Sequence, residues 1–187
     1  MKKVLILSLM ATIAVALVGC GGANGAAAAP EDEVRAAVEK IYNHVFDVYN
    51  DSSCNALYDS VQAFDQRYLS DEFRRLSTAV DRIDSLYYPG EIGFRNYDHW
   101  VMGQDWYRMS FVVDSVEMLA DDSAVAHLSM SSYGSESYPV DLLVLLESGE
   151  WRIGDFIGFY PEPGSELESM KTYVDDDHEN VADRPQP

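Results

Sequence analysis

Four runs of alternating apolar and polar residues, separated by short turn signals, occupy residues 107–156. Alternation with a period of two places one set of side chains on each face of a strand. Short connections between such runs favour antiparallel pairing. This stretch therefore predicts an antiparallel meander, against which the rest of the folded chain has to pack. Its predicted strands cover residues 107–118, 123–131, 138–147 and 150–157.

Three helices are predicted before the meander and one after it. Apolar residues recur at spacings of three and four over residues 30–49, 57–68 and 71–87, the period of a helix with one buried face. Ser70 is a good N-cap for the third helix, and Ser165 with Glu168 forms a capping box that opens a short last helix. The predicted fold class is α+β, with N-terminal helices packed on a curved antiparallel meander sheet and a short C-terminal helix.

The N-terminus predicts a leader and a lipid anchor. Lys2 and Lys3 precede an apolar run over residues 4–18, which is shorter than the roughly 20 residues that span a bilayer, so residues 1–19 read as a signal peptide. The run ends in the letters LVGC, which resemble a bacterial lipobox. That resemblance implies cleavage before Cys20 and attachment of diacylglycerol to its sulfur. We therefore expect a lipoprotein of the bacterial cell envelope, with its domain outside the cytoplasm.

The rest of the chain divides by composition. Residues 20–30 hold the lipidated cysteine and a flexible tether rich in glycine and alanine. Residues 31–174 are expected to form a single domain, because about 150 residues support one core. Residues 175–187 are acidic, end in proline-rich sequence and predict a disordered tail.

Charge and metal-ligand spacing exclude several classes of partner. The chain carries a net charge of −19, which argues against nucleic acid and anionic membrane surfaces because both need clustered Lys and Arg. The four histidines are far apart, and the acidic run of the tail lacks the spacing of a calcium loop, so no metal site is predicted. No cofactor motif is present in the sequence. With Cys20 lipidated, Cys54 has no partner for a disulfide.

The register of the last two strands gives one catalytic candidate. If Ser148 and Gly149 form a two-residue hairpin loop, Leu142 pairs with Asp155, which places this carboxylate on the apolar face. A carboxylate there has a raised pKa unless a donor satisfies it, as expected for a general base in a pocket. The alternative is that Asp155 lies near the strand end and accepts hydrogen bonds from the backbone or a tyrosine hydroxyl.

The segment before the meander gives the candidates for ligand binding. Residues 88–106 have neither helical nor strand period and are dense in aromatic side chains, and loops of this length in compact domains are often functional. Polar and aromatic side chains in this loop could surround the mouth of a cavity. Its aspartates could equally cap backbone amides. The candidates for ligand contact are Tyr97, Asp98, Trp100, Gln104, Asp105 and Trp106.

The outer face of the meander gives a candidate interface. A turn centred on Gly134 would place His127 opposite Asp141 and Val125 opposite Leu143. We interpret the first pair as a surface cross-strand pair. The apolar residues of this face would be covered by another segment or used for a homodimer or another envelope protein. These outer-face residues are Met118, Val125, Leu143 and Leu145.

Three helices, a long aromatic loop and the ending GEWRIGDF (residues 149–156) resemble the cone-shaped fold of nuclear transport factor two and its relatives. The triplets DHW (98–100) and QDW (104–106) are similar to those of lipoproteins that carry domain-of-unknown-function family 3828. The resemblance covers about residues 31–174 and implies a cone-shaped α+β domain. The wider superfamily includes a ketosteroid isomerase and a dehydratase with catalytic side chains inside the cone.

Two functions follow as hypotheses. The first is a membrane-tethered domain that binds a small molecule or a protein partner without catalysis, using the cone and the aromatic loop. The alternative is an isomerase- or hydratase-like acid–base enzyme that uses Asp155 with a tyrosine donor. A cone filled by side chains would remove small-molecule binding inside it.

Overall fold

The computed structural model describes residues 28–51, 57–134, 136–158 and 164–181. The described residues form four helices and one five-stranded antiparallel sheet in the order β1-β2-β3-β4-β5, so the predicted α+β class is confirmed. The predicted signal peptide, Cys20 and Cys54 lie outside the described residues. The elements are α1 (Pro30–Asn50), α2 (Leu57–Tyr68), α3 (Asp71–Tyr87), β1 (Ser110–Ala120), β2 (Ser123–Ser131), β3 (Tyr138–Glu147), β4 (Glu150–Gly158), β5 (Gly164–Ser165) and α4 (Glu166–Val181).

Helix α1 begins with proline in its first turn and three acidic residues where the helix dipole favours them. The predicted apolar stripe is buried and extends to Tyr42 and Phe46, which contribute two rings to the core. At its C-terminal end, the Asn50 side chain donates to Met109 O (2.8 Å) and accepts from Met109 N (2.7 Å). This paired contact fixes α1 against the start of β1.

Helix α3 begins as the sequence predicts, because Ser70 Oγ accepts a hydrogen bond from Phe73 N. Ser70 N in turn donates to Ile153 O (2.8 Å), which attaches the start of α3 to the edge of β4. Phe73, Leu76 and Val80 form the buried stripe of α3. The cap therefore sets both where this helix begins and where it meets the sheet.

The hairpin between β2 and β3 has the predicted register. His127 pairs with Asp141 and Val125 with Leu143. A bulge lies between Val113 and Ser115, where the alternation of apolar residues in β1 changes phase. Beyond this bulge Met118 pairs with Ala124 and packs on the core, so its prediction as an outer-face residue is wrong. The extra residue of the bulge returns the later apolar side chains of β1 to the inner face.

The hairpin between β3 and β4 turns at Ser148 and Gly149, whose φ values of 53° and 82° match the two-residue loop. Val144 pairs with Ile153, as the two-residue loop requires, but a second bulge follows this pair. Leu142 then pairs with Phe156, and Asp155 pairs with Leu143. The predicted pairing of Leu142 with Asp155 is therefore wrong, because one extra residue exchanges the faces of every later side chain.

Helix α4 extends through Val181 and so includes residues that the sequence assigned to the acidic tail. Extending an existing helix by one residue needs no new nucleation, which favours this continuation. Among the described residues, no helix combines the length and apolar character that a membrane span requires.

Candidate functional site

Aromatic side chains fill the space between the helices and the inner face of the sheet. Trp100 is 0% exposed and lies edge-on against Tyr42, Phe64 and Phe156 at ring-centroid distances of 6.1, 6.1 and 5.4 Å. The sequence proposed Trp100 as a ligand contact, but its side chain belongs to the packed core. The loop thus contributes one of its two tryptophans to the packed core.

A polar cleft of about 490 Å³ opens beside this core, between α2, α3 and the loop. Three of the predicted ligand contacts lie in its wall: Tyr97, Asp98 and Gln104. Most of the remaining lining comes from helix positions that the sequence analysis did not select. The full lining is Val61, Gln62, Asp65, Ser77, Asp81, Arg95, Asn96, Tyr97, Asp98, His99 and Gln104.

Asp65 on α2 joins the cleft to the core. Its Oδ1 accepts hydrogen bonds from Trp100 Nε1 (2.9 Å) and His99 Nε2 (3.1 Å). The two rings belong to adjacent loop residues, so a single carboxylate oxygen fixes the orientation of both. Asp has a low intrinsic helix propensity, so its presence beside the apolar stripe of α2 needs another reason. That is the signal by which sequence analysis could have identified Asp65 as a site residue.

Arg95 lines the cleft and pairs with Glu166, which is buried behind the lining. Arg95 Nε donates to Glu166 Oε1 (2.8 Å), and its Nη1 donates to Ser77 Oγ (3.0 Å). The Glu166 side chain is 1% exposed, and its Oε1 also lies 3.7 Å from His99 Nδ1. A buried carboxylate is tolerated when positive and hydrogen-bonding groups surround it. The network therefore connects α3, the loop and the first residue of α4.

The same network shifts the pKa values of His99 and Tyr97. Burial lowers the pKa of His99, but the Glu166 charge and the Asp65 hydrogen bond outweigh burial and raise it above its usual value. Burial raises the pKa of the Tyr97 hydroxyl, and the Glu166 carboxylate raises it further. His99 is therefore held towards its cationic form and Tyr97 towards its neutral, donating form.

Asp98 organises the loop itself. Its Oδ2 accepts from the Tyr49 hydroxyl (2.6 Å) and its Oδ1 from Trp100 N (2.9 Å). Asp98 N donates to Gly103 O (2.9 Å), which closes the turn that carries the buried tryptophan. Burial and then the Asp98 charge raise the pKa of Tyr49. Asp98 thus caps the backbone, which is one of the two interpretations from the sequence, and it also lines the cleft, where ligand contact stays a prediction.

The last two loop candidates lie elsewhere. Trp106 packs edge-on against Tyr49 at 5.4 Å, and Asp105 is exposed; neither lines the cleft. No set of three metal-ligating side chains suited to an ion occurs among the residues that the structure describes.

Asp155 forms hydrogen bonds that stabilise the start of α4. It is 4% exposed, its Oδ2 accepts from Ser165 Oγ, and its Oδ1 accepts from Leu167 N (2.8 Å). Burial raises its pKa, and these donors oppose that rise. Asp155 caps the first turn of α4 and is not part of the cleft wall. This arrangement gives a candidate base no route to a ligand in the cleft.

No family model matches the chain, and no curated protein is similar to it. Among solved structures, it is similar to the phospholipid-binding protein from Ralstonia solanacearum in complex with a phospholipid. The two share 14% identity with a TM-score of 0.49, over 83% of this chain and 90% of that one. A likeness of this size does not define the function of this chain.

Proposed function

We propose that the protein is a bacterial envelope lipoprotein, tethered through Cys20, whose domain binds a small polar molecule in the polar cleft without catalysis. The observation that supports this proposal is a cleft of about 490 Å³ in which hydrogen bonds hold the lining side chains of Asp65, His99 and Arg95 in place. Its size lies within the range of about 300–1,000 Å³ that is usual for small-molecule sites.

The geometry favours binding over chemistry. The ionisable groups at the rear of the cleft pair with one another: His99 with Asp65, and Arg95 with Glu166. Such pairing holds the wall rigid, and a rigid wall lowers the entropy cost of binding. Gln62 on α2 and Gln104 on the loop are exposed at the rim and offer both donors and acceptors to a ligand.

A thermal-shift screen tests the binding function. Full-length protein in neutral detergent would be melted with a library of small polar metabolites, and a ligand must raise the melting temperature. We expect Gln62→Ala and Gln104→Ala to reduce that shift while leaving the unliganded melting temperature nearly unchanged, because both side chains are exposed. Asn43→Ala, an exposed amide on α1 outside the cleft, is the matched control.

The proposal fails if no compound stabilises the protein, or if the two rim variants respond to the ligand as the wild type and Asn43→Ala do.

The tether has its own test. The apolar leader followed by Cys20 supports lipidation, and α1 begins at Pro30, ten residues further on. Ten flexible residues span about 17 Å, which would keep the domain close to the membrane. Labelling with a palmitate analogue should mark the wild type and Cys54→Ser but not Cys20→Ser. Equal labelling of the two variants would contradict the lipid anchor.

A further inference from the structure

A second, smaller cavity of about 200 Å³ lies between α1, the C-terminal end of α2 and the beginning of β4. It shares no lining residue with the polar cleft. We call it the Lys40–Arg67 cavity. Its lining is Ala37, Lys40, Ile41, Arg67, Tyr68, Glu150 and Trp151.

Two aromatic side chains give this cavity fixed walls. The Tyr68 ring is 7% exposed, and its hydroxyl lies 2.7 Å from His44 Nδ1, which holds the ring in place. Trp151 pairs with Leu146 across the hairpin and packs partly on the core. Ile41, 3% exposed, completes an apolar wall. Flat apolar surfaces of this kind suit the carbon part of a small ligand.

Two cations lie at the same cavity. The Arg67 guanidinium carbon lies 5.2 Å from the centre of the Tyr68 ring, and both Lys40 and Arg67 are exposed to solvent. Other cations, such as Arg95 and Lys171, form ion pairs with carboxylates, but the ion pairs found within the described ranges include neither Lys40 nor Arg67.

The local charge is unusual for this chain. With a net charge of −19, the protein as a whole repels anions, so an anion site needs cations that are not already neutralised. Glu150 also lines the cavity, but its carboxylate accepts a hydrogen bond from Arg152 Nη2 (3.3 Å) and its side chain is 73% exposed. Of the charged residues that line the cavity, Lys40 and Arg67 therefore have no ion-pair partner among the described residues.

We propose that the Lys40–Arg67 cavity binds a phosphate group carried on a small organic molecule. The ammonium and guanidinium donate charge-assisted hydrogen bonds to phosphate oxygens, and Tyr68 with Trp151 contacts the attached carbon group. The volume is smaller than that of a usual drug-sized site, which limits the ligand to about the size of a headgroup. A soluble phosphate ester and the headgroup of an anionic lipid present the same chemistry.

Tryptophan fluorescence tests this site directly, because Trp151 lines the cavity whereas Trp100 is buried in the core. Full-length protein in neutral detergent would be titrated with phenyl phosphate and, separately, with inorganic phosphate. We expect saturable binding of phenyl phosphate, with inorganic phosphate weaker because it lacks the group that contacts the rings. Lys40→Gln and Arg67→Gln should each weaken binding by about tenfold or more, as expected for loss of a charged hydrogen-bond donor.

Arg75→Gln is the matched control, since Arg75 is an exposed arginine of α3 outside the cavity. It should bind phenyl phosphate as the wild type does. Trp151→Phe should abolish the fluorescence response while calorimetry still detects binding, which assigns the signal to the cavity.

A competition experiment identifies the source of the phosphate. Water-soluble dibutyryl phosphatidylglycerol should displace phenyl phosphate if the cavity accepts lipid headgroups, and dibutyryl phosphatidylcholine is the zwitterionic control. Binding of phenyl phosphate without displacement assigns the site to soluble esters. Absence of saturable binding to any of these probes, or equal binding by Lys40→Gln, Arg67→Gln and Arg75→Gln, would overturn the proposal.

Discussion

Trp100 and His99 are adjacent in sequence, and the two rings donate hydrogen bonds to the same oxygen of Asp65. A single residue of α2 thereby determines how the loop enters the core. A carboxylate at this depth is acceptable because ring N–H groups satisfy it. Rigidity at the rear of the cleft thus depends on the same contacts that stabilise the fold.

Replacing Trp100 with alanine should be strongly destabilising. The side chain is 0% exposed and contacts several rings of the core, so its removal leaves a cavity and deprives Asp65 of one donor. We expect a loss of about 3–5 kcal/mol in the free energy of unfolding, measured by urea denaturation. Trp106→Ala is the control, because Trp106 is only partly buried, and it should cost less. Equal losses would place the two loop tryptophans in equivalent environments and contradict the structure.

His99 should make stability depend on pH. Its pKa is raised in the folded protein, so its contribution is complete below the unfolded value of about 6.5 and is lost as the pH rises through the folded pKa. The free energy of unfolding of the wild type minus that of His99→Gln should therefore be largest near about pH 6 and shrink as the pH rises.

The measurement is a series of urea denaturation curves for the two proteins across this pH range. Gln62→Ala, which keeps the histidine and changes only the cleft rim, should differ from the wild type by an amount that does not vary with pH. A constant difference between the wild type and His99→Gln would contradict the predicted role of the imidazolium.

At the scale of elements, the bulge in β4 decides what Asp155 does. A Cβ on Gly154 would lie 2.7 Å from Leu145 Cδ1, so the Leu145 side chain occupies the space that a larger residue at position 154 would need. The bulge takes Asp155 off the inner face and pairs it with Leu143, where its carboxylate accepts a hydrogen bond from Leu167 N in the first turn of α4. Because of this one bulge, Asp155 caps α4 and does not act as the general base that the sequence suggested.

Asp155→Ala should loosen the start of α4. The substitution removes the acceptor for Ser165 Oγ and Leu167 N, and leaving these donors unsatisfied should cost about 1–3 kcal/mol in the free energy of unfolding. Hydrogen exchange should show faster exchange at the Leu167 amide. Asp141→Ala, which breaks the half-exposed pair with His127, is the control and should cost at most about 1 kcal/mol. Equal effects of the two substitutions would contradict the cap.

For the whole molecule, the outer-face patch remains the predicted self-association surface. It now consists of Val125, Leu143 and Leu145, which are half-buried on adjacent strands. We expect light scattering to detect a dimer at high protein concentration, because a contiguous apolar patch favours association. Val125→Glu should shift the protein to monomer by placing a charge in the patch.

Leu86→Glu is the matched control, since Leu86 is 60% exposed on α3 and lies outside the patch. It should leave the dimer intact. A monomeric wild type at high concentration would count against the patch as an interface.

The strands and helix starts could be predicted because their signals are local. Alternation set the limits of β2 and β3, a serine before an acidic first turn set the start of α3, and Ser148 with Gly149 set the last hairpin. The second bulge leaves Gly154 unpaired, with the Leu145 side chain in the space that a Cβ would need, and local pattern does not predict this contact between strands. Local pattern therefore determined the elements but failed where packing changed the register.

The sequence by itself determined the α+β class and the antiparallel meander, because period, capping and turn chemistry act over a few residues. Only the tertiary structure decided the polar cleft. Its contacts join residues far apart in the chain, such as Asp65 with His99 and Arg95 with Glu166. A buried charge is stable only beside a partner that folding brings to it, and no local pattern specifies that partner.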